Sequence, residues 1–145
     1  MTLDDTLHID GNAPVGDLEE FFRLAGGDSV PLPQCQDCAR FHWYPMGRCP
    51  HCQSERLVWR QLDGRATVYA ATTVRHAFTE RTRGQTPYGL ALVTFDEAPE
   101  IRMVCRAIGP APAIGDAVTV RVEHDPASGD IGMIWCRLTD EEDRS

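Results

Sequence analysis

Two Cys-x-x-Cys motifs constrain this chain more than any other feature. They are Cys35-Gln36-Asp37-Cys38 and Cys49-Pro50-His51-Cys52, with ten residues between them. A two-residue gap lets both sulfurs of a pair turn to one side of a tight loop. A second such loop, returning on a hairpin, completes a tetrahedron. Zinc takes four thiolates in that arrangement at about 2.3 Å, so the spacing predicts a rubredoxin-like zinc ribbon over residues 31–60. Its ligands would be Cys35, Cys38, Cys49 and Cys52. Rubredoxin-like iron fits the same geometry, but nothing else in the sequence suggests electron transfer. Four thiolates leave the ion no open position, so it is expected to be structural rather than to activate water. A thioredoxin-like redox site needs only one such motif beside a βαβ pattern, and none is present. His42 and His51 lie inside the ribbon, where hydrogen-bonded or solvated imidazoles suffice beside four cysteines. Phe41, Trp43, Tyr44 and Pro45 are expected to pack the ribbon against the rest of the molecule.

The remaining sequence reads as mainly β. Ahead of the ribbon, Pro14 to Ala25 predicts a short amphipathic helix, with Val15, Leu18, Phe21, Phe22 and Ala25 on one face and Gly26-Gly27 as its stop. Phe21 and Phe22 either dock this helix on the core or present an aromatic patch to a partner. After the ribbon the period changes to two. Ala66 to Val74, Leu90 to Phe95, Ile101 to Ala107, Val118 to Val122 and Ile131 to Leu138 predict five strands, separated by turns rich in Gly, Pro and Asp. Five strands with no long helix between them fit a five-stranded OB-fold barrel, with a β-sandwich fragment as the competing architecture. The expected organisation is a loosely ordered N-terminus and docking helix at 1–30, the ribbon at 31–60, an OB fold at 61–138 and an acidic tail at 139–145.

Charge and composition exclude several function classes. The formal net charge is −8, from 14 basic and 22 acidic residues, which disfavours phosphate backbones and makes a nucleic-acid partner an unfavoured reading. Met1 to Gly11 lacks an apolar signal region, and no stretch approaches the roughly 20 apolar residues that span a bilayer. A cytoplasmic protein is therefore expected, where clustered cysteines bind metal more readily than they pair. Cys105 and Cys136 sit singly on β patterns and read as small core residues. Gly-x-Ser-x-Gly, Walker A and dinucleotide motifs are missing. Asp96, Glu97 and Glu100 crowd a turn, where acids sit by default. The most suggestive polar segment is Arg75 to Thr86, which carries Arg75, His76, Arg81 and Arg83 against a single acid, Glu80. Such a basic loop on an acidic chain either receives the phosphates of a small anionic ligand or is an ordinary solvated loop.

These features together resemble a known family. The ribbon with Trp43-Tyr44-Pro45 between its motifs, the segment from Thr86-Pro87-Tyr88-Gly89 to Asp96-Glu97, and Ile114-Gly115-Asp116-Ala117-Val118 carry the resemblance. With the preceding helix it spans residues 14 to 138. The family comprises zinc-ribbon plus OB-fold proteins once catalogued as a domain of unknown function and associated with acyl-CoA metabolism. The resemblance implies a non-catalytic accessory subunit for a thiolase-fold enzyme: a thiolase, a lipid-transfer-type thiolase or an aldolase. It implies that the chain helps to shape that enzyme's acyl-CoA site in lipid or steroid metabolism. Ala98-Pro99 stands where the family commonly has glycine, a departure confined to one turn. Two other readings belong to different classes: a single-stranded nucleic-acid-binding module, and a stand-alone enzyme using the barrel cavity.

Overall fold

A computed structural model describes residues 9–10, 15–25, 29–80, 83–123 and 133–139. In chain order these form β1 (Ile9–Asp10), α1 (Leu18–Leu24), β2 (Ser29–Cys35), β3 (Leu57–Asp63), β4 (Arg65–Val74), β5 (Tyr88–Phe95), β6 (Ala98–Ala107), β7 (Ala117–Glu123) and β8 (Met133–Leu138). The first three strands make an antiparallel sheet in the order β1-β3-β2. The last five close a barrel in the order β4-β5-β6-β8-β7. All neighbours in the barrel are antiparallel except β6 and β8, which run parallel. The fold is thus mainly β, with one short helix, a four-cysteine ribbon and a closed OB-like barrel. Residues 140–145 of the acidic tail and the Gly26-Gly27 stop lie outside the described residues.

Alternation along the strands builds the barrel core. Ile101, Met103, Cys105 and Ala107 point inward from β6, and Val118, Val120 and Val122 from β7; all are buried. On β5 the buried set is Gly89, Ala91, Val93 and Phe95, with half-buried residues between them. This resolves what the sequence shows only as a continuous apolar run. In β4 the inward phase of Ala66 and Val68 breaks at a bulge between Val68 and Ala70, after which Ala71 packs against the core. The extra residue bends the long strand as the barrel closes.

The ribbon strands extend further than the sequence suggests. Pro31 and Pro33 argue against a strand, yet both lie inside β2. Their positions explain the tolerance. Among the strands β2 pairs only with β3, and its other edge is met near Pro33 to Cys35 only by the isolated bridge from Gln34 to Phe41. Residues two apart direct their backbone the same way. Cys35, in the same phase as both prolines, sends its N–H to Arg40 O rather than toward β3, whereas the Gln36 N–H reaches Arg56 O on the β3 side. The two missing donors therefore belong to the open edge. The expectation of a loosely ordered N-terminus is also corrected in part, because Ile9 and Asp10 pair with Arg60 and Trp59 on β3.

The helix is shorter than the Pro14–Ala25 expectation. Asp17 caps it, its Oδ1 accepting from the Glu20 N–H at 2.8 Å, and this fixes the first turn at Leu18. Phe21 and Phe22 are buried, and Phe21 lies against Trp43 with ring centroids 4.6 Å apart. One hydrophobic cluster contains both rings, Val30, Leu32 and Trp59 of the ribbon sheet, and the inward barrel residues. The partner-facing reading of Phe21 and Phe22 is therefore corrected: the short apolar face meets the ribbon and has no rings left to present. Removing a buried aromatic ring costs about 3–5 kcal/mol. Phe21→Ala is expected to lower the unfolding free energy by about that amount in chemical denaturation, whereas a solvent-facing docking ring would leave it nearly unchanged.

Candidate metal centre and barrel cleft

The two cysteine motifs fold as repeats of one turn. In the first, the Ala39 N–H donates to Cys35 O and the Cys35 N–H to Arg40 O; in the second, the Gln53 N–H donates to Cys49 O and the Cys49 N–H to Ser54 O. The fourth residue after each leading cysteine is left-handed, Ala39 at φ 68° and Gln53 at φ 70°. Neither is glycine, so both carry a steric cost of roughly 1–2 kcal/mol that the surrounding hydrogen bonds hold in place. The turn aims backbone donors at sulfur: Asp37 N lies 3.3 Å and Cys38 N 3.5 Å from Cys35 Sγ, and His51 N 3.3 Å from Cys49 Sγ.

All four sulfurs come within 4.8 Å of one another. Cys35 and Cys52 approach to 3.6 Å, as do Cys38 and Cys49. A tetrahedron with bonds of about 2.3 Å has edges of about 3.8 Å, so the donor set suits one metal ion. Burial opposes ionisation of Cys35, but the Cys38 and Asp37 amides outweigh it and bring the thiol down to about 6. At Cys52 the Ser54 amide favours the thiolate, yet the crowding sulfurs, Cys35 first, push it up to about 12. Four thiolates this close repel one another, and a divalent cation at their centre is what allows all four to ionise.

The histidines of the ribbon sit outside the sulfur cluster. His51 Nε2 lies 3.2 Å from Phe41 O, and His42 is buried with its Nε2 accepting from the Met46 N–H at 3.3 Å. Burial pushes the His42 imidazole below its ordinary value, and nearby His51 adds to the shift. The ribbon is tied to the barrel where the Phe41 N–H donates to Glu100 Oε2 at 2.7 Å. Glu100 therefore has a structural task. Its neighbour Glu97 is pushed upward by partial burial and then by Asp63 and Asp96.

A second candidate site opens at one end of the barrel. It is a cleft of about 630 Å³ whose walls include Arg75, Gln85, Tyr88, Gly89, Arg106 and Trp135. The Arg106 guanidinium lies 4.1 Å from the Tyr88 ring centroid and 5.4 Å from that of Trp135, and its Nη1 donates to Gln85 Oε1 at 2.6 Å. Gly89 is required in the wall, because an added Cβ would lie 2.6 Å from Ala111 Cα. On the outer face of the barrel, Ala70, Leu90, Leu92 and Val104 help to line an almost wholly apolar groove.

Residues 59–123 match the family model of the ChsH2 C-terminal OB-fold domain. A chain of the Ltp2–ChsH2 (DUF35) aldolase is similar in structure, with a TM-score of 0.57 and 26% identity over 75% of this chain and 84% of that one. The chain is thus similar to DUF35 proteins of zinc-ribbon plus OB-fold architecture. A DUF35 protein of unknown function from Sulfolobus solfataricus shares the fold, with a TM-score of 0.52 and 15% identity over 84% of this chain and 82% of that one. No curated protein matches the sequence.

The sequence-predicted basic loop disperses. Of its described basic residues, Arg75 alone lines the cleft. His76 packs edge-on against the exposed Phe78 at 4.7 Å, and Arg83 pairs with Glu80 at 2.8 Å. Arg81 lies outside the described residues. Arg106 was not signalled, because a β period shows which residues alternate but not which strand ends share a rim. Cys105 and Cys136 are buried barrel residues, as expected of small core side chains.

Two outcomes follow for the ribbon. Elemental analysis is expected to find one metal ion per chain, with Cys38→Ser and Cys49→Ser reducing it at least tenfold and Cys105→Ala leaving it intact. His42 is neutral when folded and takes up a proton on unfolding, so the unfolded state binds more protons between the lowered folded value and about 6.5. Its contribution is fully present above about pH 6.5 and is lost as the pH falls below it. Between pH 7 and pH 5, His42→Gln is expected to lose less thermal stability than the wild type. Equal losses would contradict this account.

Proposed function

We propose that this chain is a non-catalytic accessory subunit of a thiolase-fold enzyme, a thiolase or aldolase acting on acyl-CoA, and that it helps to form that enzyme's acyl-CoA site. The observation that carries the reading is the likeness to a chain of the Ltp2–ChsH2 aldolase, of which this chain covers 84%. One further feature supports it: the barrel carries an exposed apolar groove lined by Leu90, Leu92 and Val104, of a kind that suits a protein neighbour. We take the ion of the ribbon to be zinc, held by Cys35, Cys38, Cys49 and Cys52 with no open position, so its contribution is a rigid support rather than chemistry. Reduced thiols in that role suit the cytosol. No helix among the described residues is long and apolar enough to cross a membrane. A single-stranded nucleic-acid module is less favoured, given the net charge of −8.

Co-expression with thiolase-fold proteins of the same genome tests the proposal. A stable complex on size-exclusion chromatography is expected with one of them. Acyl-CoA turnover should fall at least tenfold when this chain is left out, and the chain alone should show none. If every candidate enzyme stays soluble, active and unbound without the chain, the proposal fails.

A further inference from the structure

We infer that the cleft at the barrel end is an oxyanion site, built around Arg75 and Arg106, for a phosphate-bearing small molecule. The inference concerns the chain by itself and does not rest on the accessory-subunit reading. The first argument is charge. The chain has 22 acidic residues, yet among the described residues the cleft wall contains no Asp or Glu, and its charged side chains there are two arginines. Elsewhere Arg23, Arg48, Arg56 and Arg83 each pair with a carboxylate. Among the described residues neither Arg75 nor Arg106 has such a partner. Two positive charges gathered in one concave wall are matched better by the double charge of a phosphate than by a single carboxylate.

The second argument is preorganisation. Arg106 is laid across Tyr88 with Trp135 beside it, and Gln85 accepts from one of its donors. A guanidinium offers five donors. Stacking fixes its plane and leaves the other donors for a ligand, so little rotamer freedom remains to be lost on binding. The buried Trp135 Nε1–H has no hydrogen-bond partner, which places an unsatisfied donor in a residue of the same wall. The third argument is size. At about 630 Å³ the cleft exceeds what one phosphate group fills, and Ile108 and Pro110 supply apolar wall for the uncharged part of the molecule.

The test is calorimetric titration of the metal-loaded full chain with inorganic pyrophosphate. Wild-type protein is expected to bind it, Arg75→Ala and Arg106→Ala to weaken binding at least tenfold, and Arg83→Ala to change it less than twofold. Arg75 is exposed, so its variant keeps the fold; Arg106→Lys retains charge without the stacked fork and is expected to weaken binding as well. Circular dichroism and metal content verify that each variant is folded. No heat with up to about 10 mM pyrophosphate, or equal affinity in the two alanine variants, would overturn the inference. So would tighter binding of a single-stranded oligonucleotide at the same salt, since that would make the cleft part of a nucleic-acid groove. A chain that forms its enzyme complex but ignores pyrophosphate removes this inference alone. One that binds pyrophosphate but no enzyme removes the accessory-subunit reading instead.

Discussion

Four thiolates brought within 4.8 Å repel one another, and a cation at their centre would let all four ionise together. The two turns that carry them are shaped for that task. Each repeats the same pair of backbone hydrogen bonds, and each holds a non-glycine residue in the left-handed region. Amide donors aimed at Cys35 and Cys49 supply partial positive charge before any ion arrives. The ribbon between Cys35 and Leu57 contains no regular strand, only one isolated bridge between Gln34 and Phe41. Without a central ion, little else would define the conformation of that segment.

The ribbon and the barrel are physically joined. Trp59, on the strand leading out of the ribbon, belongs to the same buried cluster as the barrel residues. The Phe41 backbone donates to Glu100 on β6, and Phe21 from the helix packs at a tilt against Trp43. A carboxylate that satisfies a backbone donor across two units is a stronger link than exposed ion pairs such as Arg48 with Glu55. The metal centre thus stands at one side of a shared core, and the arginine cleft opens at the barrel end formed by β5, β6 and β8.

How much of this was legible in the sequence depended on whether the signal was local. The convergence of the four cysteines was, because their spacing is itself the geometry. So were the inward faces of β6 and β7, where alternation is strict. The ribbon strands were obscured by Pro31 and Pro33, whose penalty vanishes on an open edge that no local pattern reveals. The start of the helix was misplaced because the Asp17 cap outweighs the preference of Pro14 for a first turn. In the basic loop, proximity in sequence suggested a site that the fold takes apart: Arg83 turns to Glu80 while Arg75 joins Arg106 from a strand some thirty residues later. Cleft residues gathered from separate strand ends carry no sequence signature that a single chain can show.

The prolines of β2 also govern how the molecule can meet others. An open sheet edge ordinarily offers a ladder of N–H and C=O groups onto which a foreign strand can add. Here two consecutive outward donors are absent, and the next, from Cys35, is taken by Arg40. That margin cannot template an incoming backbone, so intermolecular sheet extension and the aggregation it seeds are blocked at this edge.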